Sequence, residues 1–195
     1  MNRYLYYCLL IVAACFTHAC RMQVPELTDD LKKSVSHGDS LHLFYIPYAD
    51  QAVKTRDDRV YFGYRFGDIH ATQGAVVGAA LHGEYELFYQ RKLVEKGAFQ
   101  QGIKTGAWSK WDENGQLLSV ANYQHGKKDG LSKRYNGAGD VVSFQQYRKD
   151  VKQGIGLYEQ GGEPVYFKYK NDMVTDTLES LTKAQQLKYG LTNIR

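Results

Sequence analysis

The side chains best suited to covalent chemistry sit at one end of the chain. Cys8, Cys15 and Cys20 are the three cysteines, and all fall within the first 20 of 195 residues. The rest of the chain therefore has no thiol nucleophile and no internal disulfide. His70 and His82 stand twelve residues apart and could meet across a hairpin to share a metal ion. Surface imidazoles or sheet-edge donors are the simpler reading, and His125 falls in a turn of its own. Asp57-Asp58 before Arg59 reads as solvated loop charge. The sequence holds no H-E-x-x-H, no phosphate-binding glycine loop and no G-x-S-x-G elbow. Convergent groups for acid–base or nucleophilic catalysis are missing from this inventory, so the expectation is a non-enzymatic chain with no catalytic residue, no metal and no cofactor. What remains is aromatic. Tyr85, Trp108, Trp111 and Tyr135 offer rings that can stack on sugars, bases or peptide side chains, and these four are the expected binding surface. Trp108 and Trp111, three apart, point to opposite faces of a strand. Trp108 is expected to be the exposed ring, because Ser132 fills its place in the next copy of a repeat.

That repeat is the main organising signal. Gly106, Gly130 and Gly154 follow one another at intervals of 24 residues, and Gly83 precedes Gly106 by 23. An aromatic stands five residues after three of these glycines, at Phe88, Trp111 and Tyr135. Leu93 and Phe99, Leu117 and Tyr123, and Val141 and Tyr147 are each six residues apart; an even step keeps both on one face of an extended chain. Each repeat therefore reads as a hairpin, with Asn114-Gly115 as a tight two-residue turn and residues 136–139 doing the same in the next copy. A partial copy runs upstream through Tyr61, Tyr64 and Gly67, and a degenerate one downstream through Gly154, Tyr158, Gly162 and Tyr169. The composition agrees: 16 Tyr and 19 Gly against 3 Pro favour strands and turns over helices. A formal net charge of +4 is too weak to call for nucleic acid, so no nucleic-acid partner is expected. Arg91, Lys92, Lys127, Lys128, Lys133, Arg134, Arg148, Lys149 and Lys152 gather near turns, and solvent-facing lysines that protect strands explain them.

The fold expected is all-β, an elongated, twisted antiparallel meander of hairpin repeats over residues 41–176, with a short capping helix in 177–195. Asp176-Thr177-Leu178-Glu179 looks like a helix start, and Leu178, Leu181 and Leu187 give it an apolar side. The expected helix, about 177–189, closes the open end of the sheet.

The pattern G-x-[WY]-x-x-[WYF]-x-x-x-G-x-[LV] with a later Y-x-x-G resembles the MORN-like repeats of bacterial proteins, in which successive hairpins stack into a long sheet. Ile69-His70-Ala71-Thr72-Gln73-Gly74 with Leu81-His82-Gly83-Glu84-Tyr85 is similar to the YwqK-type group. That resemblance implies an antitoxin or immunity-like role against a toxin; a scaffold of envelope assembly is the other alternative to a binding module with a protein partner.

The first residues read as an address. Arg3 and the apolar run from Tyr4 to Ala14 fall short of the about 20 residues a spanning helix needs and suit a signal peptide over residues 1–14. Val12-Ala13-Ala14-Cys15 resembles the lipobox of bacterial lipoproteins, which implies acylation of Cys15; Thr17-His18-Ala19-Cys20 is the alternative. Residues 15–40 read as a polar tether. The expected location is the bacterial cell envelope, with the lipid anchor in a membrane, the outer membrane by preference, and the domain facing the periplasm or surface.

Overall fold

Turn chemistry decides how this chain folds back on itself. Gln90-Arg91, Gln101-Gly102, His125-Gly126, Lys149-Asp150 and Asn171-Asp172 each place two consecutive residues at positive φ, the geometry of a type I′ turn whose twist matches the strands it joins. The loops at Asp112–Gln116 and Asn136–Asp140 are different. In each, a side-chain oxygen (Asp112 Oδ1, Asn136 Oδ1) accepts two backbone N–H groups from inside the loop. Only Gly115 and Gly139 there have positive φ. These are three-residue turns closed by a glycine bulge, not the two-residue Asn-Gly turns expected: the Asx hydrogen bonds hold the preceding residues in a right-handed turn and leave only the glycine left-handed.

The structure is a computed structural model that describes residues 30–48, 52–160 and 163–191. The signal peptide, Cys15, Cys20 and most of the expected tether lie outside the described residues. In chain order the strands are β1 (Asp30–His37), β2 (Ser40–Pro47), β3 (Val60–Arg65), β4 (Asp68–Gln73), β5 (Ala79–Ala80), β6 (His82–Tyr89), β7 (Lys92–Gln100), β8 (Ile103–Trp111), β9 (Leu117–Gln124), β10 (Lys127–Tyr135), β11 (Val141–Arg148), β12 (Val151–Gln160), β13 (Glu163–Lys170) and β14 (Met173–Leu178), followed by helix α1 (Lys183–Lys188). Eleven of them form one antiparallel sheet in the order β1-β2-β6-β7-β8-β9-β10-β11-β12-β13-β14, which is a meander not closed into a barrel. The other three form a small sheet ordered β4-β3-β5.

Three expectations shift. Asp30–His37, placed in the tether, is a strand paired along its length with β2 through the turn at Gly38. The upstream partial copy around Tyr61 and Tyr64 leaves the main sheet and forms the small one. Asp176 and Thr177 are still in strand β14; the helix starts later, where Thr182 and Gln185 form a reciprocal capping box. Leu187 is 66% exposed, and the residues that dock are Leu181, Tyr189 and Leu191.

Cross-strand register shows that the two apolar cores lie on opposite faces of the large sheet, since directly paired residues share a face. Trp108, Ala121, Ser132, Gln145, Gly156 and Phe167 form one transverse row. The neighbouring row runs Ser109, Val120, Lys133, Phe144, Leu157 and Tyr166 on the other face. Over the first face the small sheet packs Phe62, Tyr64 and Ile69 against Phe44, Leu81, Tyr85, Phe99 and Trp108. It is tied in by backbone bonds from Phe62 N–H to Gly102 O and from Leu81 N–H to Phe62 O. On the second face α1 and its flanks cover Phe144, Leu157 and Tyr166. The helix thus covers a sheet face, and Leu178 at the end of edge strand β14 packs against the same cluster.

Candidate functional site

Where the small sheet meets the large one, a cleft of about 210 Å³ opens between them. Its apolar walls include Val35, Phe62, Ile69, Phe99 and Trp108, and its polar groups are His37, His42, Asp68, Tyr85, Glu95 and Lys104. Trp108 is the floor. Tyr85, Phe99 and Tyr123 surround its indole at centroid distances of 5.5, 5.0 and 6.3 Å. The ring fits there because the residue beneath it is Gly97: a Cβ at that position would fall inside the indole.

Lys104 reaches over this floor. Its ammonium is 3.6 Å from the Trp108 ring centre, 5.6 Å from Tyr123 and 5.7 Å from Phe62, a cation–π arrangement on three sides. Glu95 Oε1 accepts from it at 3.4 Å and lies 3.7 Å from Lys110 Nζ. Burial lowers the Lys104 pKa and the Glu95 charge opposes that shift. Burial also pushes the Tyr85 phenol up, so Tyr85 stays protonated, and its hydroxyl is hydrogen-bonded with His42 Nδ1 at 2.8 Å. His42 is held below its ordinary value first by burial and then by the nearby His37, which keeps it neutral. At the mouth, His37 on β1 meets Asp68 on β4 at 3.2 Å; the Ile69 backbone N–H, followed by His37, lowers the Asp68 pKa.

A prediction follows from His42. Its folded pKa lies below the unfolded value of 6.5, so its contribution to stability is complete above pH 6.5 and is lost as the pH falls from there through the folded pKa. Urea unfolding at pH 7.5 and pH 5 is expected to show a loss of stability on acidification, and the loss is expected to shrink in His42→Gln.

The aromatics singled out in the sequence do not form one surface. Tyr85 and Trp108 come together in the cleft, and both are buried. Trp108, expected to be exposed, is 3% exposed; Gly97 beneath and Lys104 above enclose it. Trp111 and Tyr135 are half-buried at strand ends beside the two three-residue turns, paired with Leu117 and Val141. His70 and His82 lie in different sheets; His70 Nε2 is 3.3 Å from Arg65 O and His82 Nδ1 accepts from Gln101 N–H. Asp58 is engaged by Arg56, Arg59 and Lys127, so it is an ion-pair hub where solvated charge was expected. Among the described residues no group of three His, Cys, Asp or Glu is placed to hold a metal, and no helix is long and apolar enough to cross a membrane.

A second feature extends from the cleft. Lys104, Lys128 and Lys152 recur at intervals of 24 residues. Each stands directly across a type I′ turn from an aromatic: Phe99 opposite Lys104, Tyr123 opposite Lys128, Tyr147 opposite Lys152. The result is one aromatic or lysine per strand from β7 to β12, continued by Tyr169 on β13. Each lysine also leans over the following aromatic: Lys104 over Tyr123, Lys128 over Tyr147 at 5.2 Å, and Lys152 over Tyr169 at 5.1 Å and Tyr158 at 5.6 Å. Backbone bonds lock successive hairpins in register, from Gly126 N–H to Lys104 O, Asp150 N–H to Lys128 O and Asp172 N–H to Lys152 O. Asp150 and Asp172 each turn a carboxylate oxygen onto a backbone N–H, that of Lys128 and that of Lys152. Among the described residues, the Lys128 and Lys152 ammoniums make no ion pair, whereas Lys104 is paired with Glu95. Burial raises the pKa of Tyr123, Tyr147 and Tyr169, so their hydroxyls remain donors. The aromatic-x-x-x-x-Lys spacing was the available signal for this row; sorting basic residues by proximity to turns conceals it.

A scan against protein-family models finds none that matches this chain, and a search of curated proteins finds no match either. The likeness to MORN-like repeats therefore rests on the recurring residues alone.

Proposed function

We propose that this chain is a non-enzymatic interaction module of the bacterial cell envelope, built of MORN-like hairpins and tethered to a membrane through an acylated Cys15, with Cys20 as the alternative. Its working surface is the uncovered face of β9–β13. The observation that carries this reading is the row of Tyr123, Tyr147, Tyr158, Phe167 and Tyr169 around Lys128 and Lys152. Register places this row on the face opposite α1, where Tyr123 packs on the Trp108 cluster and the other rings continue the row across β11–β13. Rings held half-buried by one another need no ordering when a partner docks, which lowers the entropic cost of binding.

The cleft supports the non-enzymatic part of the reading. Its polar groups are committed to one another, His42 with Tyr85, His37 with Asp68 and Glu95 with Lys104; the His37–Asp68 contact links the two sheets, and none of the three pairs presents a nucleophile beside a free base. The two aromatics the cleft encloses, Tyr85 and Trp108, act as support for the open face and leave the contact with a partner to the row beyond them.

The tether is tested by mass spectrometry of the protein recovered from membranes of its bacterial host. Acyl chains on an N-terminal Cys15 are expected, with detergent required for extraction. Cys15→Ser is expected to abolish acylation, since stable anchoring takes more than one buried chain. Recovery in the soluble fraction without detergent contradicts the tether.

A further inference from the structure

We propose that the uncovered aromatic–lysine row binds an extended anionic polysaccharide, with sugar rings seated on Tyr147, Tyr158 and Tyr169 and carboxylates on Lys128 and Lys152. This rests on the reading of the open face as the working surface and names the chemistry of its partner.

Three features of the row converge on that chemistry. First, the two ammoniums lack a carboxylate within the described protein. Asp150 and Asp172, the acids nearest in register, turn carboxylate oxygens onto the backbone N–H groups of Lys128 and Lys152 themselves, so the turns are locked while the lysine heads are left over ring faces. A cation held between rings and lacking an anion is a ready partner for an external carboxylate. Second, the charges repeat. Lys128 is on β10 and Lys152 on β12, two strands apart, which is about 9.6 Å across the sheet. An extended β-linked glycan with one acid per disaccharide repeats its charge at close to that interval. Third, the surface around the lysines suits sugar: Tyr147 on β11 lies between them, and beyond Lys152 Tyr158 lies 6.2 Å from Phe167, and Phe167 lies 6.3 Å from Tyr169. These rings present apolar bodies, and the hydroxyls of Tyr147 and Tyr169, kept protonated by burial, add a polar edge, as the apolar face and hydroxyl rim of a pyranose require; the Tyr158 hydroxyl donates to Gln145 Oε1. Lys104 continues the row but is covered by Phe62 and neutralised by Glu95, so the site ends where the small sheet begins.

The test is isothermal titration of the full chain in detergent with a hyaluronan octasaccharide, which carries one carboxylate per disaccharide, and with a neutral chitin oligosaccharide of equal length. Hyaluronan is expected to bind, to weaken with rising salt, and to outcompete the neutral chain. Lys128→Gln and Lys152→Gln are each expected to weaken binding about tenfold. Lys183→Gln on the exposed surface of α1 is expected to leave it unchanged, and matching thermal unfolding of all variants excludes misfolding as the cause. Absence of hyaluronan binding, equal affinity for the neutral chain, or unchanged affinity in the lysine variants overturns the proposal. Tighter binding of a single-stranded oligonucleotide of equal charge overturns it in favour of nucleic acid. If hyaluronan fails while a cross-linker on the open face still captures a partner, the glycan assignment falls and the open-face reading stands.

Discussion

Trp108→Ala is expected to lower the stability of the protein by about 3–5 kcal/mol, the range for truncating a buried large aromatic. The indole is the floor on which two layers meet. Tyr85, Phe99 and Tyr123 pack around it on the large sheet, and Lys104 lies across it. Its Nε1–H also donates to Thr105 O at 3.2 Å, so the substitution removes a hydrogen bond along with the packing. Gly97 gives the partner experiment, because a methyl group there displaces the same ring from the opposite side. Gly97→Ala is expected to destabilise by about 1–3 kcal/mol through overpacking. If Gly97→Ala costs nothing, the indole does not lie over β7. Chemical denaturation of each variant, read by tryptophan fluorescence for Gly97→Ala and by circular dichroism for Trp108→Ala, measures both.

Phe144→Ala is the second large loss, about 3–5 kcal/mol by the same reasoning, and it acts on the other face. Phe144 is 1% exposed and stacks on Tyr189 at a centroid distance of 4.9 Å. Leu157 and Tyr166 flank it in the same transverse row, and Leu181 and Leu191 complete the cover. Without the ring, Tyr189 loses the surface on which it stacks, and the segment after β14 is expected to become sensitive to protease while the sheet persists. Because the two cores are on opposite faces and share no residue, the losses in Trp108→Ala/Phe144→Ala are expected to add to within about 0.5 kcal/mol. Strong coupling between them contradicts the two-faced arrangement.

The architecture was readable because the repeat is local. Glycines at 24-residue intervals and aromatics in fixed phase indicate hairpins, and consecutive hairpins have no simpler arrangement than a meander. The misreadings share one cause, which is that a residue's own stretch of sequence does not show what packs against it from another strand. Trp108 looked exposed because Ser132 replaces it in the next copy; it is buried because Gly97 faces it from β7. The segment around Tyr61 has the repeat's residues but leaves the large sheet to cover its first face, tied to Gly102 by a backbone bond that no local pattern announces. Asp30–His37 is charged and alternates weakly, so it reads as tether until β2 supplies its partner. The helix start moved from Asp176 to Thr182 because Asp176 is paired with Lys168 in the sheet and the reciprocal cap lies at Thr182 and Gln185. The lysine row was visible in principle as a 24-residue period, but its meaning depends on which face α1 covers.

The most direct test of the central claim, that the open face of β9–β13 is the surface at which this protein works, is photo-cross-linking in intact cells that produce it. A benzophenone amino acid replaces Tyr158 on the open face in one variant and Lys183 on α1 in another. The account predicts an adduct from position 158 and none from position 183. An adduct at position 183 alone, or from neither position while a third probe beside the cleft at Ala71 gives one, contradicts it.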